Sequence, residues 1–149
     1  MELWPWAVDA YGRPEVASAA LALQDDHGQC VPLLLWAAWA RPVDSDLIGQ
    51  AVSLARTWEA AAILPLRTAR RGLKAELPGG DDAAREALRT QIKAGELEAE
   101  RLLLGALARL GGSGGAALEV ALTATAAAWG GRAESLAVER LSRALQDVP

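Results

Sequence analysis

At 149 residues the chain is long enough for one domain with a single sizeable core, and with 52% hydrophobic residues it is far too apolar to stay disordered. Its charged residues, 23% of the total, are spread along the whole length, which argues against a membrane protein, and a net charge of −4 opposes general binding to nucleic acid. With one cysteine and one histidine, an intramolecular disulfide and a cysteine zinc cluster are excluded, and any metal site would be mostly carboxylate.

In chain order the breaks are marked by Pro and Gly. A first short helix is predicted over roughly 4–11, with Pro5 in its first turn and Gly12 after its end. Pro14 starts a second helix, to about residue 27, ended by Gly28 and carrying the stripe Val16, Ala20, Leu21 and Leu23. Pro32 opens a third, in the run 31-VPLLLWAAWA-40, which is apolar all round and predicted to be the most buried element until Arg41-Pro42 stops it. That run is about half the length of a bilayer crossing, and the N-terminus lacks the features of a secretion signal, so a cytoplasmic location is expected.

In 44-DSDLIGQAVSLARTW-58 an Asp or Ser caps a fourth helix, and the pattern continues through 58-WEAAAILPLRTARRGLK-74, where Pro65 is expected to kink or divide it. After the turn 76-ELPGGDD-82, with Asp81 or Asp82 as a cap, a long helix is predicted over about 82–110. Its apolar stripe is Leu88, Ile92, Gly95, Ala99, Leu102 or Leu103, Ala106 and Leu110. Gly95 on that stripe suggests close approach of another helix or a ligand. The segment 111-GGSGG-115 reads as a flexible linker to two further helices, about 116–129 and 132–147, joined at Gly130-Gly131.

No alternating run has strand character. The expected architecture is all-α, a compact bundle of about six to seven helices. It comprises a helical core domain at 1–110, the linker 111–115 and a C-terminal helix pair at 116–149, packed on the core or on a partner.

The order LW, YGRPEV, ALALQDDHG, VPLLLWAAW, WEAAAILPLRTARRGLK and GELEAERLL, over roughly residues 3–104, resembles a family of small proteobacterial proteins of unknown function. The resemblance implies an all-helical bacterial protein and brings no mechanism. The pattern of that family has Gly where Glu15 stands and Asn where Pro32 stands, so any site built on that Asn is weakened here.

Three places are candidates for function. The segment 21-LALQDDHGQC-30 offers Gln24, Asp25, Asp26, His27 and Cys30, and its two aspartates stand at the negative end of a helix dipole, where a carboxylate is disfavoured by about 0.3–1 kcal/mol. A helix turns Asp25 and Asp26 about 100° apart, so they do not converge on one metal ion. An arginine partner, Arg41 or one of the 67–71 cluster, is the alternative explanation. Arg67, Arg70, Arg71 and Lys74 form a basic helix face, open either to an acidic partner, phosphate or RNA, or to pairing with Asp25, Asp26 or the acidic run Glu96, Glu98 and Glu100. Six tryptophans with one tyrosine and no phenylalanine supply core, pocket walls or interface anchors: Trp36, Trp39 and Trp58 point to core, Trp4 and Trp6 to a groove as readily as to packing.

No nucleophile elbow, phosphate loop or catalytic set is present, so no catalytic residue, metal or cofactor is assigned. The sequence reads first as a non-enzymatic adaptor or regulator with a protein partner, or as a homo-oligomer, using Gln24, Asp25, Asp26, His27, Trp36, Trp39, Arg67, Arg70 and Arg71. The second reading is a binder of a small-molecule or phosphate-containing ligand, or an enzyme, with a pocket lined by Trp36, Trp39 or Trp58 and polar groups from Gln24, Asp25 and His27.

Overall fold

The computed structural model describes residues 1–112, 114–130 and 135–149. Ser113 of the glycine segment, Gly131 of the Gly130-Gly131 joint and the expected start of the last helix at 132 lie outside these described residues. The rest is all-α, with no strand among the described residues. The helices are α1 (Leu3–Tyr11), α2 (Pro14–His27), α3 (Val31–Ala40), α4 (Ser45–Trp58), a π-helical turn (Glu59–Ile63), α5 (Leu64–Gly72), α6 (Asp82–Arg109), α7 (Leu118–Trp129) and α8 (Ser135–Leu145).

Local chemistry sets the ends. Asp44 accepts a hydrogen bond from the Asp46 amide at 2.8 Å, and Asp81 accepts from those of Ala83 and Ala84, so each satisfies donors that a helix start leaves unpaired. Gly28 stops α2 in the left-handed region at φ 65°, and the Gln29 amide reaches back to the Leu23 carbonyl at 3.0 Å, a closure that favours glycine. Arg85 of α6 donates to the Leu73 and Lys74 carbonyls and ties the α5 end to α6.

Helix α3 is the centre of the molecule: nine of its ten residues are buried, and Trp36 is wholly enclosed. Helices α1, α2, α4, α6 and α7 all pack on it, as an element without a polar face requires. Helices α7 and α8 share this core, through Leu118, Leu122 and Ala126 of the first and Val138, Leu141 and Leu145 of the second. The glycine segment lies against the end of α3. The Gly114 amide donates to the Ala40 carbonyl at 2.9 Å, and a Cβ on Gly114 would fall 1.8 Å from the Arg41 carbonyl oxygen, so no side chain fits there.

Two expectations can be set against the helices. Pro65, expected to kink or divide the fourth helix, stands just after a π turn that separates α4 from α5, where the Leu64 amide bonds the Glu59 carbonyl five residues back. Widening by one residue accommodates a proline that has no amide and would crowd the preceding turn of a regular helix. On α6 the buried face is Glu96, Ala99, Leu103, Leu104 and Leu107, while Leu88 and Leu102 are exposed and Ile92 is half-buried. Ala99 and Leu103 of the expected stripe are buried, Gly95, Ala106 and Leu110 are partly so, and full burial is confined to Glu96 and beyond, where the rest of the bundle sits. Gly95 faces Leu66 of α5, whose methyl carbon would meet an added Cβ at an ordinary 3.8 Å. A leucine covers it, and no glycine-only approach is enforced.

Candidate functional site

The extra residue of the π turn also decides which way α5 faces. Along α4 the buried positions Ile48, Val52, Ala55 and Glu59 recur at helical spacing, and a regular helix would carry that stripe on to residues 62 and 66. The inserted residue moves it to Ile63 and Arg67, both buried, and leaves Leu66 half-buried. A guanidinium therefore enters the bundle where the regular pattern would place a leucine.

Inside, Arg67 meets the glutamates of α6. Its Nε donates to Glu96 at 2.9 Å, and its Nη2 lies 3.3 Å from Glu100; Arg70 donates to the other Glu96 oxygen at 2.5 Å. Glu96 and Glu100 are one helical turn apart and face the same neighbour. Glu59, itself buried on the π turn, is close enough to the Cys30 thiol at the start of α3 for its charge to act on it.

The two α6 carboxyls respond oppositely. Burial alone would raise Glu96, but hydrogen bonds from Arg70 and Arg67 outweigh it and hold the group below the usual carboxylate range. For Glu100 burial dominates: it pushes the carboxyl up to about 7, against the pull of Arg67 and with the repulsion of Glu96 and Glu59. Burial raises the Tyr11 hydroxyl, helped by the charges of Glu100 and Asp25. The Cys30 thiol is pushed well up by burial and by Glu59, which keeps it protonated and unreactive.

Glu100 opens on a cavity of about 470 Å³ bounded by α1, α2, α3 and α6. Trp4, Ala7 and Val8 of α1 form one wall, Val31, Pro32 and Leu35 of α3 the opposite one, and Leu97 and Leu104 of α6 a third. Tyr11, Gln24 and Glu100 are the polar side chains in this lining. The volume is in the range of small-molecule sites, and a few polar groups set in apolar walls are what fixes the orientation of a bound molecule. Pro32 stands in the wall, so the surface there is more apolar than an asparagine would make it.

The residues singled out from the sequence are dispersed by the fold. Gln24 reaches the cavity. Asp25 points outward and pairs with Arg71 at 2.9 Å, both side chains about half exposed, which answers the unfavourable dipole at that helix end. Asp26 is exposed and His27 half-buried, and neither lines the cavity. Trp36 is core, and Trp39 sits in shallow clefts by the N-terminus, its indole N–H bonded to the Met1 carbonyl at 3.0 Å. The pocket expected around Trp36, Trp39 or Trp58 is thus lined by Trp4 instead, and Asp25 and His27 do not converge on it. The basic face divides between Arg67 and Arg70, turned onto α6, and Arg71 on the surface.

The end of LALQDDHGQC is a docking point for α7. The Gly28 carbonyl accepts from the Trp129 indole at 2.8 Å, Gln29 donates to the Gly130 carbonyl at 2.9 Å, and Arg56 lies over the Trp129 ring at 4.7 Å while donating to its carbonyl. Among the described residues no group of three or more His, Cys, Asp or Glu is arranged to hold a metal ion.

Sequence reading missed Tyr11, Glu59 and Glu100 as site residues. The available signal was Glu96 and Glu100 at a spacing of four beside the buried Ala99, opposite arginines also spaced to share a face.

Fold and cavity together define a class: an all-helical bundle with one acidic carboxyl exposed to an apolar chamber. The chain belongs to the family described as Protein of unknown function (DUF2390), whose profile matches residues 2–107. All of the cavity walls fall within that span. No curated protein and no solved structure gives a significant match.

Proposed function

We propose that this protein binds a small, largely apolar molecule in the chamber between α1, α2, α3 and α6. The observation that carries the reading is the lining itself: a cavity of about 470 Å³ whose walls are tryptophan and aliphatic side chains, with Tyr11, Gln24 and Glu100 as its polar groups. Its mouth lies beside Val8 and Leu97, which are exposed although apolar.

The adaptor reading draws on the basic face, but Arg67 and Arg70 are engaged by Glu96 and Glu100. The same engagement removes the cations that a phosphate-containing ligand would need, and the charged group in the chamber wall is a carboxyl. Arg71 and Lys74 remain on the surface for any protein contact.

The test is a titration of the ¹⁵N-labelled protein with neutral apolar probes of graded size, cyclohexanol and indole among them, observed at the six indole N–H signals. Saturable shifts are expected at Trp4, with Trp36 and Trp129 unmoved. If no probe shifts Trp4 saturably, or if all tryptophans shift alike, the chamber is not a binding site.

A further inference from the structure

The chamber and the ion cluster behind it together specify the charge of the occupant. Glu96 and Glu100 share two guanidinium groups, Arg67 and Arg70, and the buried Glu59 is close enough to repel Glu100, while Asp25 is answered by Arg71. The arginines are shared unequally. Glu96 takes the short bonds from both, whereas Glu100 keeps one longer contact to Arg67 at 3.3 Å, and it is Glu100 that lines the chamber. One negative charge is therefore undercompensated, and it belongs to Glu100 in the chamber wall.

The titratable and charged groups around Glu100 are Tyr11 on α1, Cys30 at the start of α3, Glu59 on the π turn, Arg67 and Arg70 on α5, and Glu96 on α6, while Asp25 of α2 is turned outward onto Arg71. None of these is a cation free to enter the chamber. Trp4 and Tyr11 add aromatic rings to the same space, and ring faces attract cations. Resting on the reading that the chamber binds a small apolar molecule, we infer that its occupant is a monocationic amine with an apolar body, the ammonium group placed on Glu100 between Tyr11 and Gln24. Such a ligand supplies the missing positive charge and buries its hydrocarbon against Leu35, Leu97 and Leu104.

Binding an ammonium ion requires ionised Glu100. A carboxyl that burial holds at about 7 is mostly protonated at pH 6 and mostly ionised at pH 8, so affinity for the amine rises about tenfold across that interval.

The experiment is isothermal titration calorimetry on the full chain with three probes of one shape: phenethylammonium, 2-phenylethanol and 3-phenylpropionate. At pH 8 the amine is expected to bind at least tenfold more tightly than the alcohol, and the carboxylate most weakly. Glu100→Gln is expected to remove the preference for the amine over the alcohol. The pH profile of the unmodified protein supplies the same test without a variant. If the alcohol or the carboxylate binds as tightly as the amine, or if amine affinity is flat from pH 6 to 8, the charge assignment is overturned while the chamber remains a binding site. If none of the three binds, both readings fall.

Discussion

Glu100 couples this protein to pH in the direction opposite to most carboxylates. Its carboxyl stands at about 7 in the folded chain against an ordinary value of 4.5, so between these values the native state holds a proton that the unfolded chain has released. Stability from this group is therefore present below about pH 4.5 and is lost as pH rises through 7. The full effect is on the order of 3 kcal/mol. Glu96 runs the other way, stabilising above pH 4.5 and failing as acid protonates it. Urea unfolding at pH 6 and pH 8 should show the native protein losing stability on the alkaline side, and Glu100→Gln should flatten that loss; an equal slope in both proteins would exclude Glu100 as its source.

Arg67 is the pivot of the same cluster. Replacing it with methionine leaves Glu96 with Arg70 alone and Glu100 with no bonded cation, a change expected to cost about 3–5 kcal/mol at pH 8. At pH 5, where Glu100 is neutral, the loss should be visibly smaller. Chemical denaturation at both values reads the difference directly. An identical loss at the two pH values would mean that packing, not charge, sets the cost. Which residues these would be was partly legible beforehand: the spacing of Arg67 and Arg70, and of Glu96 and Glu100, marked two complementary faces. Whether they met each other or solvent depended on helix phase, which spacing along one helix does not reveal.

At the scale of elements the π turn is the decisive feature. It sits directly before Pro65 and advances the buried stripe by one residue, bringing Arg67 inward. The sequence signalled a disturbance at Pro65 but not its form, because kink, break and widened turn all satisfy a missing amide. A sharp test follows from the arithmetic of the stripe. Deleting Ala61, which is exposed, together with Pro65→Ala converts the segment to regular helix with Glu59, Ile63 and Arg67 still in phase. That double change is expected to cost less than about 3 kcal/mol. Deleting Ala51 instead, inside regular α4, rotates everything after it and should prevent folding. Circular dichroism and thermal melts separate the two; equal damage from both deletions would refute the phase argument.

Across the whole molecule, the family profile stops at residue 107, yet the core does not. Helices α7 and α8 bury Leu118, Leu122, Val138, Leu141 and Leu145 against it, and each such side chain contributes about 2 kcal/mol. A chain ending at residue 112 is therefore expected to lose cooperative unfolding and to expose apolar surface, measured by thermal melting and dye binding. Cooperative melting of that fragment near the temperature of the full chain would show instead that residues 1–110 form a domain of their own.

Helix identity, a polar cap in 44-DSD and another at Asp81 or Asp82, the stop at Gly28 and the burial of α3 were all readable in the linear chain, because they depend on propensity, on capping geometry and on the lack of a polar face within a few residues. The chamber, the partner of Asp25 and the enclosure of Arg67 were not. Each is a meeting of side chains more than twenty residues apart, and its outcome rests on how helices are rotated and which neighbours cover them. One residue of helical phase, added at the π turn, is enough to turn Arg67 from a basic stripe into the buried floor beneath Glu100.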